Sequence, residues 1–349
     1  MAPLRSISNP VSSFNDPFFG TGTRAGEVWF PPPPVNRGTR AVFSGGSTYP
    51  ANPNGTNTMD YITITGATGS ANDFGDLVGP RNRSGSASNG TRGICCGGYD
   101  IDAGGGSTNN IQYYTFATTG NATDSGDLTA TSSSGCAASN GTRAVNSNYT
   151  TSGNETKIDY FSFASNENAT DFGDLYNGDD WMGSVQDMTR ALFCGGDTAP
   201  SPHARSNVIQ YITVATTGDS QDFGDLTVRR SGVGGVSNNS RGVIGGGNQY
   251  GTGPHPDSMF SNVIDYVTIA STGNATDFGD LTESRNYMST SGASGEGGRG
   301  AWGGGHPGAS SGYAYTNTID YVTIANTGNA TDYGDLTTAR GIASAATGT

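Results

Sequence analysis

The chain has 349 residues, including 56 Gly and 15 Pro, with 33% hydrophobic and 13% charged positions. By composition alone this reads as low-complexity or disordered, and it excludes a coiled coil and a helical bundle; no apolar run approaches the ~20 residues of a membrane-spanning helix. The 30 acidic and 17 basic residues leave a formal charge of -13, which argues against a nucleic-acid partner because that binding needs a cationic face.

Residues 1–35 do not repeat. Met1-Ala2-Pro3-Leu4-Arg5 carries no apolar signal-peptide core, so the product is expected to stay in the cytoplasm of the cell that makes it. The segment then places Phe14, Phe18, Phe19, Trp29 and Phe30 ahead of four consecutive prolines, Pro31 to Pro34. Such a proline run is a stiff polyproline spacer. An aromatic arm, a spacer and a globular remainder suit docking onto a larger particle.

From residue 36 onward two blocks alternate at intervals of about 50 residues. The first, Arg-Gly/Ala followed by an apolar run and Gly-Gly, begins at Arg40, Arg92, Arg143, Arg190, Arg241 and Arg299. The second contains a Tyr and then Asp-Phe-Gly-Asp-Leu. Its tyrosines are Tyr61, Tyr113, Tyr160, Tyr211, Tyr266 and Tyr321, and its glycines are Gly75, Gly126, Gly173, Gly224, Gly279 and Gly334. Copy three ends its first block in Asn146-Ser147-Asn148, and copy two has Ser125 in place of Phe. Tyr266-Val267-Thr268-Ile269 alternates and is β-branched, as a strand should be. Ser271-Thr272-Gly273-Asn274 is turn chemistry, and Arg241 to Gly246 is a compact apolar strand. With a Ser/Gly strand at 231–240, each copy holds about four strands, and no segment keeps a 3.6-residue period.

Four strands in about 50 residues is the period of a kelch propeller blade. The order of Gly-Gly, variable loop, Tyr strand and aromatic strand resembles the kelch repeat, with Phe74, Phe223, Phe278 and Tyr333 standing where kelch has Trp. Asp265-Tyr266-Val267-Thr268-Ile269-Ala270 followed by Gly273 to Leu281 resembles a kelch-like repeat of marine bacteriophages, notably cyanophages; the resemblance covers residues 36–349. Leu4 to Val11 likewise resembles the N-termini of phage structural proteins. The resemblance implies an all-β, six-bladed kelch-like propeller (36–349) behind an extended virion-docking arm (1–35). In kelch order the repeat region opens at strand two and ends, at 337–349, in an unpaired strand one. The two terminal strands are therefore expected to close one composite blade and leave no free edge.

Residues that recur six times suit a scaffold better than an active site. Each repeated arginine, with five donors, is expected to bond carboxylates, those of Asp-x-Gly-Asp such as Asp73, Asp76, Asp277 and Asp280 among them, or loop carbonyls between blades. Calcium needs six or more oxygens, which two Asp per copy do not supply, and Asp277-Phe278-Gly279 lacks the rest of the kinase motif set. Cys95, Cys96, Cys136 and Cys194 have no zinc-ligand spacing and read as small buried thiols. Asn121, Asn274 and Asn329 read as turn residues. No cofactor and no metal are expected.

Function is expected where the copies differ, in the loops between strands two and three and the connections sharing their face. These hold all three histidines, His203, His255 and His306, the aromatics Tyr49, Tyr99, Tyr250, Tyr313, Tyr315 and Trp181, and the acids Asp100, Asp102, Asp179 and Asp180. Aromatic platforms beside Asp suit sugar rings, whereas lone histidines in Pro/Gly loops read as exposed. Trp302, aligned with Phe43 and Phe193, reads as core. The expected function is a phage virion protein of the tail fibre or baseplate, assembled in the host cytoplasm. It would bind other virion proteins through residues 1–35 and a host-surface glycan or receptor through the propeller, with no membrane insertion. A purely structural virion component and an enzyme acting on surface polysaccharide are the alternatives. The chain is not expected to be an enzyme: glycosidases need a defined carboxylate pair and copper oxidases of kelch type need a His/Tyr ligand set, and no motif marks either.

Overall fold

The computed structural model describes residues 38–48, 55–100, 105–148, 156–198, 204–249, 259–289, 293–294, 298–308 and 314–349. Among these there is no α-helix, and the strands fall into six units along the chain. The first unit contains β1 (Arg40–Ser44), β2 (Thr56–Thr63) and β3 (Asn72–Asn82). The second contains β4 (Gly85–Ser88), β5 (Arg92–Cys96), β6 (Tyr99–Asp100), β7 (Gly106–Thr115) and β8 (Thr123–Ser132). The third contains β9 (Ala137–Ser139), β10 (Arg143–Ser147), β11 (Lys157–Ser162) and β12 (Thr170–Asp174), and is followed by β13 (Asp179–Asp180). The fourth contains β14 (Gly183–Gln186), β15 (Arg190–Cys194), β16 (Asp197–Thr198), β17 (Ala204–Arg205), β18 (Val208–Thr213) and β19 (Gln221–Asp225). The fifth contains β20 (Gly234–Ser237), β21 (Arg241–Gly245), β22 (Asn248–Gln249), β23 (Met259–Phe260), β24 (Val263–Thr268) and β25 (Thr276–Asp280). The sixth contains β26 (Ala293–Ser294), β27 (Arg299–Gly303), β28 (Thr318–Thr323) and β29 (Thr331–Asp335), and β30 (Ser344–Gly348) ends the chain.

Each unit is a four-stranded antiparallel order, as in β20–β21–β24–β25 and β26–β27–β28–β29. The first unit takes its fourth strand from the other end of the chain. β30 pairs with β1 from Arg40↔Gly348 to Ser44↔Ser344, which removes an open edge. The first strands of successive units touch in the order β30, β4, β9, β14, β20, β26 and back to β30.

The hydrophobic residues are divided among six clusters, each bridging two consecutive units. Val185, Leu192, Ile209 and Phe223 of the fourth unit pack on Val233, Ile244, Val267 and Ile269 of the fifth. Phe43 and Ile62 of the first pack on Ala301, Ile319 and Leu336 of the sixth. Trp302 is fully buried in the cluster between the fifth and sixth units. At about 1.5–3 kcal/mol for each large apolar side chain buried, six such interfaces hold a chain that is only 33% hydrophobic. The four cysteines are free and buried; burial pushes the Cys136 thiol up to about 12, so it packs as a small apolar group.

Polar repeats tie the units together. Each first-block arginine bonds a carbonyl of the following unit. Arg40 reaches Phe116 O at 2.6 Å, Arg190 reaches Ile269 O at 3.0 Å, and Arg299 reaches Gly66 O of the first unit at 3.0 Å; Arg92, Arg143 and Arg241 do the same. Each guanidinium also lies over the Tyr of its own unit, from 4.0 Å (Arg92 on Tyr113) to 5.0 Å (Arg40 on Tyr61). That contact adds about 0.5–1 kcal/mol.

Of the two partners expected for these arginines, the structure shows the loop carbonyls and not the Asp-x-Gly-Asp carboxylates. Asp73 and Asp277 are exposed, and Asp76 and Asp280 act through their backbones. The Asp280 N–H donates to Asn329 Oδ1 and its carbonyl accepts from Ala330 N at 2.7 Å. Asp76 does the same with Asn121 and Ala122. An ionised carboxylate is cheaper left in water than buried beside an Arg that carbonyls already satisfy. The buried acid is instead the one before the Tyr. Asp60, Asp159, Asp265 and Asp320 are 0% exposed, and each accepts from a Thr of the preceding unit, as Asp265 does from Thr227 Oγ1 at 2.6 Å.

Candidate ligand-binding site

Six connections lead from the last strand of one unit to the first strand of the next. Four residues past each Gly-Asp-Leu leucine lie Arg81, Ser132, Asp179, Arg230, Arg285 and Arg340. Arg230 is fully buried, pairs with Asp265 at 2.6 Å and donates to Gly246 O at 2.8 Å. Arg285 pairs with Asp320 at 2.5 Å and Arg340 with Asp60 at 3.0 Å. In the second unit Gln112 stands where Asp would, and Arg81 donates instead to Gly97 O at 3.2 Å. These anchors hold the connections; Arg230 and Arg285 stand 35 residues before their Asp and Arg340 takes its Asp from the other end of the chain, separations that no local sequence pattern marks.

Two residues further on lie Arg83, Ser134, Trp181, Gly232, Tyr287 and Ile342. All six have left-handed backbones, with φ between 54° and 64°, a conformation that disfavours side chains other than Gly and is a true outlier for a β-branched Ile. Their peptide groups form a closed ring. Ser134 N donates to Arg83 O, Trp181 N to Ser134 O, Gly232 N to Trp181 O, Tyr287 N to Gly232 O, Ile342 N to Tyr287 O, and Arg83 N to Ile342 O, at 2.6–3.2 Å. Bulky and small members alternate around much of this ring. Because Gly232 has no side chain, the Trp181 and Tyr287 rings on either side of it approach to 4.6 Å between centroids. The Arg83 guanidinium lies 4.9 Å from the Trp181 ring and 5.8 Å from that of Tyr99. Arg83, Trp181, Tyr287 and Tyr99 are all half-buried.

Beside Trp181, β13 pairs antiparallel with β16, placing Asp180 opposite Asp197. Arg205 forms an ion pair with Asp197. Asp179 and Asp180 are buried. Burial raises Asp179 to about 6, against hydrogen bonds from Ser206 and Asn177. Burial, and then the Asp197 charge, raise Asp180 to about 7. Near neutral pH Asp180 is therefore divided between its acid and its carboxylate and can donate as well as accept a hydrogen bond, whereas Asp179 is mostly ionised.

The structure therefore brings Tyr99, Asp179, Asp180 and Trp181 to one face. Asp100 lies there too, in β6, opposite Arg81 at the end of β3. His306 corrects the reading of an exposed loop histidine: it is 8% exposed, its backbone pairs with Asn286, and its ring packs on Phe260 at 5.2 Å and Tyr315 at 5.9 Å. Burial lowers its pKa, so it is a packing residue. Tyr49, Asp102, His203, Tyr250, His255 and Tyr313 lie outside the described residues, as do Phe14, Phe18, Phe19, Trp29 and Phe30 of the arm. Among the described residues no cluster of His, Cys, Asp and Glu could hold a metal ion. A hollow of about 170 Å³ beside Tyr211, Thr216 and Asp219 lies at a hairpin common to all copies and holds none of the residues that differ. Arg83 and Tyr287 were missed; their signal is a bulky residue at the one connection position where Gly232 and Ser134 show that small ones suffice.

No protein-family model and no curated protein matches the chain. Among solved structures, that of YjhT matches with a TM-score of 0.62 at 12% sequence identity, covering 86% of this chain and 98% of the other. At that identity the likeness is one of fold alone.

Proposed function

We propose that the chain is a six-bladed kelch-like β-propeller of a phage virion, carried on a tail fibre or baseplate through residues 1–35. It binds a host-surface glycan or receptor with the face that bears the left-handed ring. The closed succession of unit contacts and the β1–β30 pairing support the six-bladed reading, and the repeated phrase of the second block supports the phage assignment. The observation that carries the binding reading is the half-buried cluster of Trp181, Tyr287, Tyr99 and Arg83 beside two acids. Ligand sites typically combine aromatic surface with a few convergent polar groups in this way. The purified chain is expected to bind host cells and block phage adsorption, and Trp181→Ala to lose both activities while its melting temperature holds. Full adsorption in a saturating excess of the protein would sink the receptor reading. Deletion of residues 1–35 is expected to abolish incorporation into particles.

A second reading, hydrolysis of a surface polysaccharide, draws on Asp180 alone, whose raised pKa suits a general acid. Loss of polysaccharide cleavage in Asp180→Asn, with binding retained, is the result that would favour it.

A further inference from the structure

We propose that Arg83, Trp181 and Tyr287 form a subsite for an anionic sugar residue, Arg83 taking its carboxylate or sulfate and the two rings taking its apolar face. This deepens the glycan-binding reading above and rests on it.

The starting point is a cation without an anion. Every other buried or half-buried arginine among the described residues is bonded. Six reach carbonyls of the next unit, four lie in the connections, and Arg205 holds Asp197. The Arg83 guanidinium has no hydrogen bond or ion pair, and its Nε is buried with no acceptor. The buried Nε–H without an acceptor costs free energy that a ligand oxygen would recover. A guanidinium forms paired, parallel hydrogen bonds to a carboxylate or sulfate that no neutral hydroxyl matches.

The setting selects a ring as well as a charge. Trp181 and Tyr287 are adjacent half-buried rings against which the C–H face of a pyranose can pack, and the Arg83 guanidinium lies over the Trp181 ring, 4.9 Å from its centroid. The ring of peptide hydrogen bonds locks all three in place, so little ordering entropy is lost on binding. Each sits at a positive φ where glycine would be cheaper, and strain of this kind collects at functional positions. The net charge of -13 over the whole chain opposes nonspecific binding of anions.

The test measures binding of the full chain, by calorimetry and Trp fluorescence, to four probes: trigalacturonate, its methyl ester, a sulfated carrageenan tetrasaccharide and the same tetrasaccharide desulfated. The expected result is at least tenfold tighter binding of a charged probe than of its neutral twin. Trigalacturonate preferred marks a carboxylate ligand, and the carrageenan probe a sulfate ester. Arg83→Gln should abolish that preference, the charged probe falling to the affinity of its neutral twin. Arg83→Lys, which keeps the charge but not the fork, should lose most of it, and Trp181→Ala should weaken charged and neutral probes alike. Equal binding of charged and neutral twins, or a preference that survives Arg83→Gln in a variant with unaltered melting temperature, overturns the anionic subsite and leaves glycan binding standing. Binding of none of the four, together with no binding to host cells, overturns both.

Discussion

Arg230 and Asp265 illustrate how much a single position carries here. Both side chains are fully buried and 2.6 Å apart, and the guanidinium also donates to Val263 O. Desolvating the two ions makes the pair a weak net stabiliser, but leaving one ion alone is severe. Arg230→Met is expected to cost about 3–5 kcal/mol in urea unfolding, with much of that loss recovered in Arg230→Met combined with Asp265→Asn. A single-variant loss under about 1 kcal/mol would mean that water reaches Asp265. Asp180 behaves in the opposite sense. Its folded pKa, about 7, lies above the roughly 3.9 of an unfolded Asp. Its burial therefore costs nothing below about pH 4, costs more as pH rises, and costs most above about pH 7. Asp180→Asn should raise the melting temperature at pH 8 and leave it nearly unchanged at pH 4; an equal gain at both values would show that ionisation is not the cause.

At the scale of the element, the outer strand of each unit depends on one glycine. β25 meets β24 with Ile264 opposite Gly279 and Asp265 opposite Asp277, so Phe278 is the extra residue of a bulge. The bulge leans Gly279, at φ 148°, against the next unit. A Cβ there would lie 2.6 Å from the carbonyl of Gly328, whose own N–H donates to Phe278 O at 2.8 Å. Gly273 shares the positive φ but has open space around it. Gly279→Ala is expected to lower stability by several kcal/mol and Gly273→Ala by about 1 kcal/mol, the backbone term alone. Equal costs, read by thermal unfolding, would show that the bulge relaxes away from its neighbour. The recurrence of both glycines was plain in the sequence. Which of them touches another unit was not, because that depends on how consecutive sheets abut.

For the whole molecule, the decisive bond is between its ends. β30 completes the sheet of β1 and also lies against β4 and β26. Deleting residues 337–349 removes Arg340 from Asp60 and bares the edge of β1. The truncated chain should elute as aggregates in size-exclusion chromatography and unfold at least 10 °C lower, as exposed edges template pairing with other chains. A monomer of unchanged melting temperature would show that the contacts of the first and sixth units suffice without that strand.

The strands, their repeat and the terminal pairing could all be read from the order of residues, since alternation, turn chemistry and an unmatched last strand are local or periodic signals. The aromatic and acidic residues Tyr99, Asp179, Asp180 and Trp181 could be placed on one face by the same register. The ring of left-handed peptides, the ion pairs Arg230–Asp265 and Arg340–Asp60, the burial of His306 and the solitary charge of Arg83 required the folded molecule. Each arises where two units meet, between residues as distant as Arg83 and Ile342. Their energies come from being desolvated together, which no short window of sequence records.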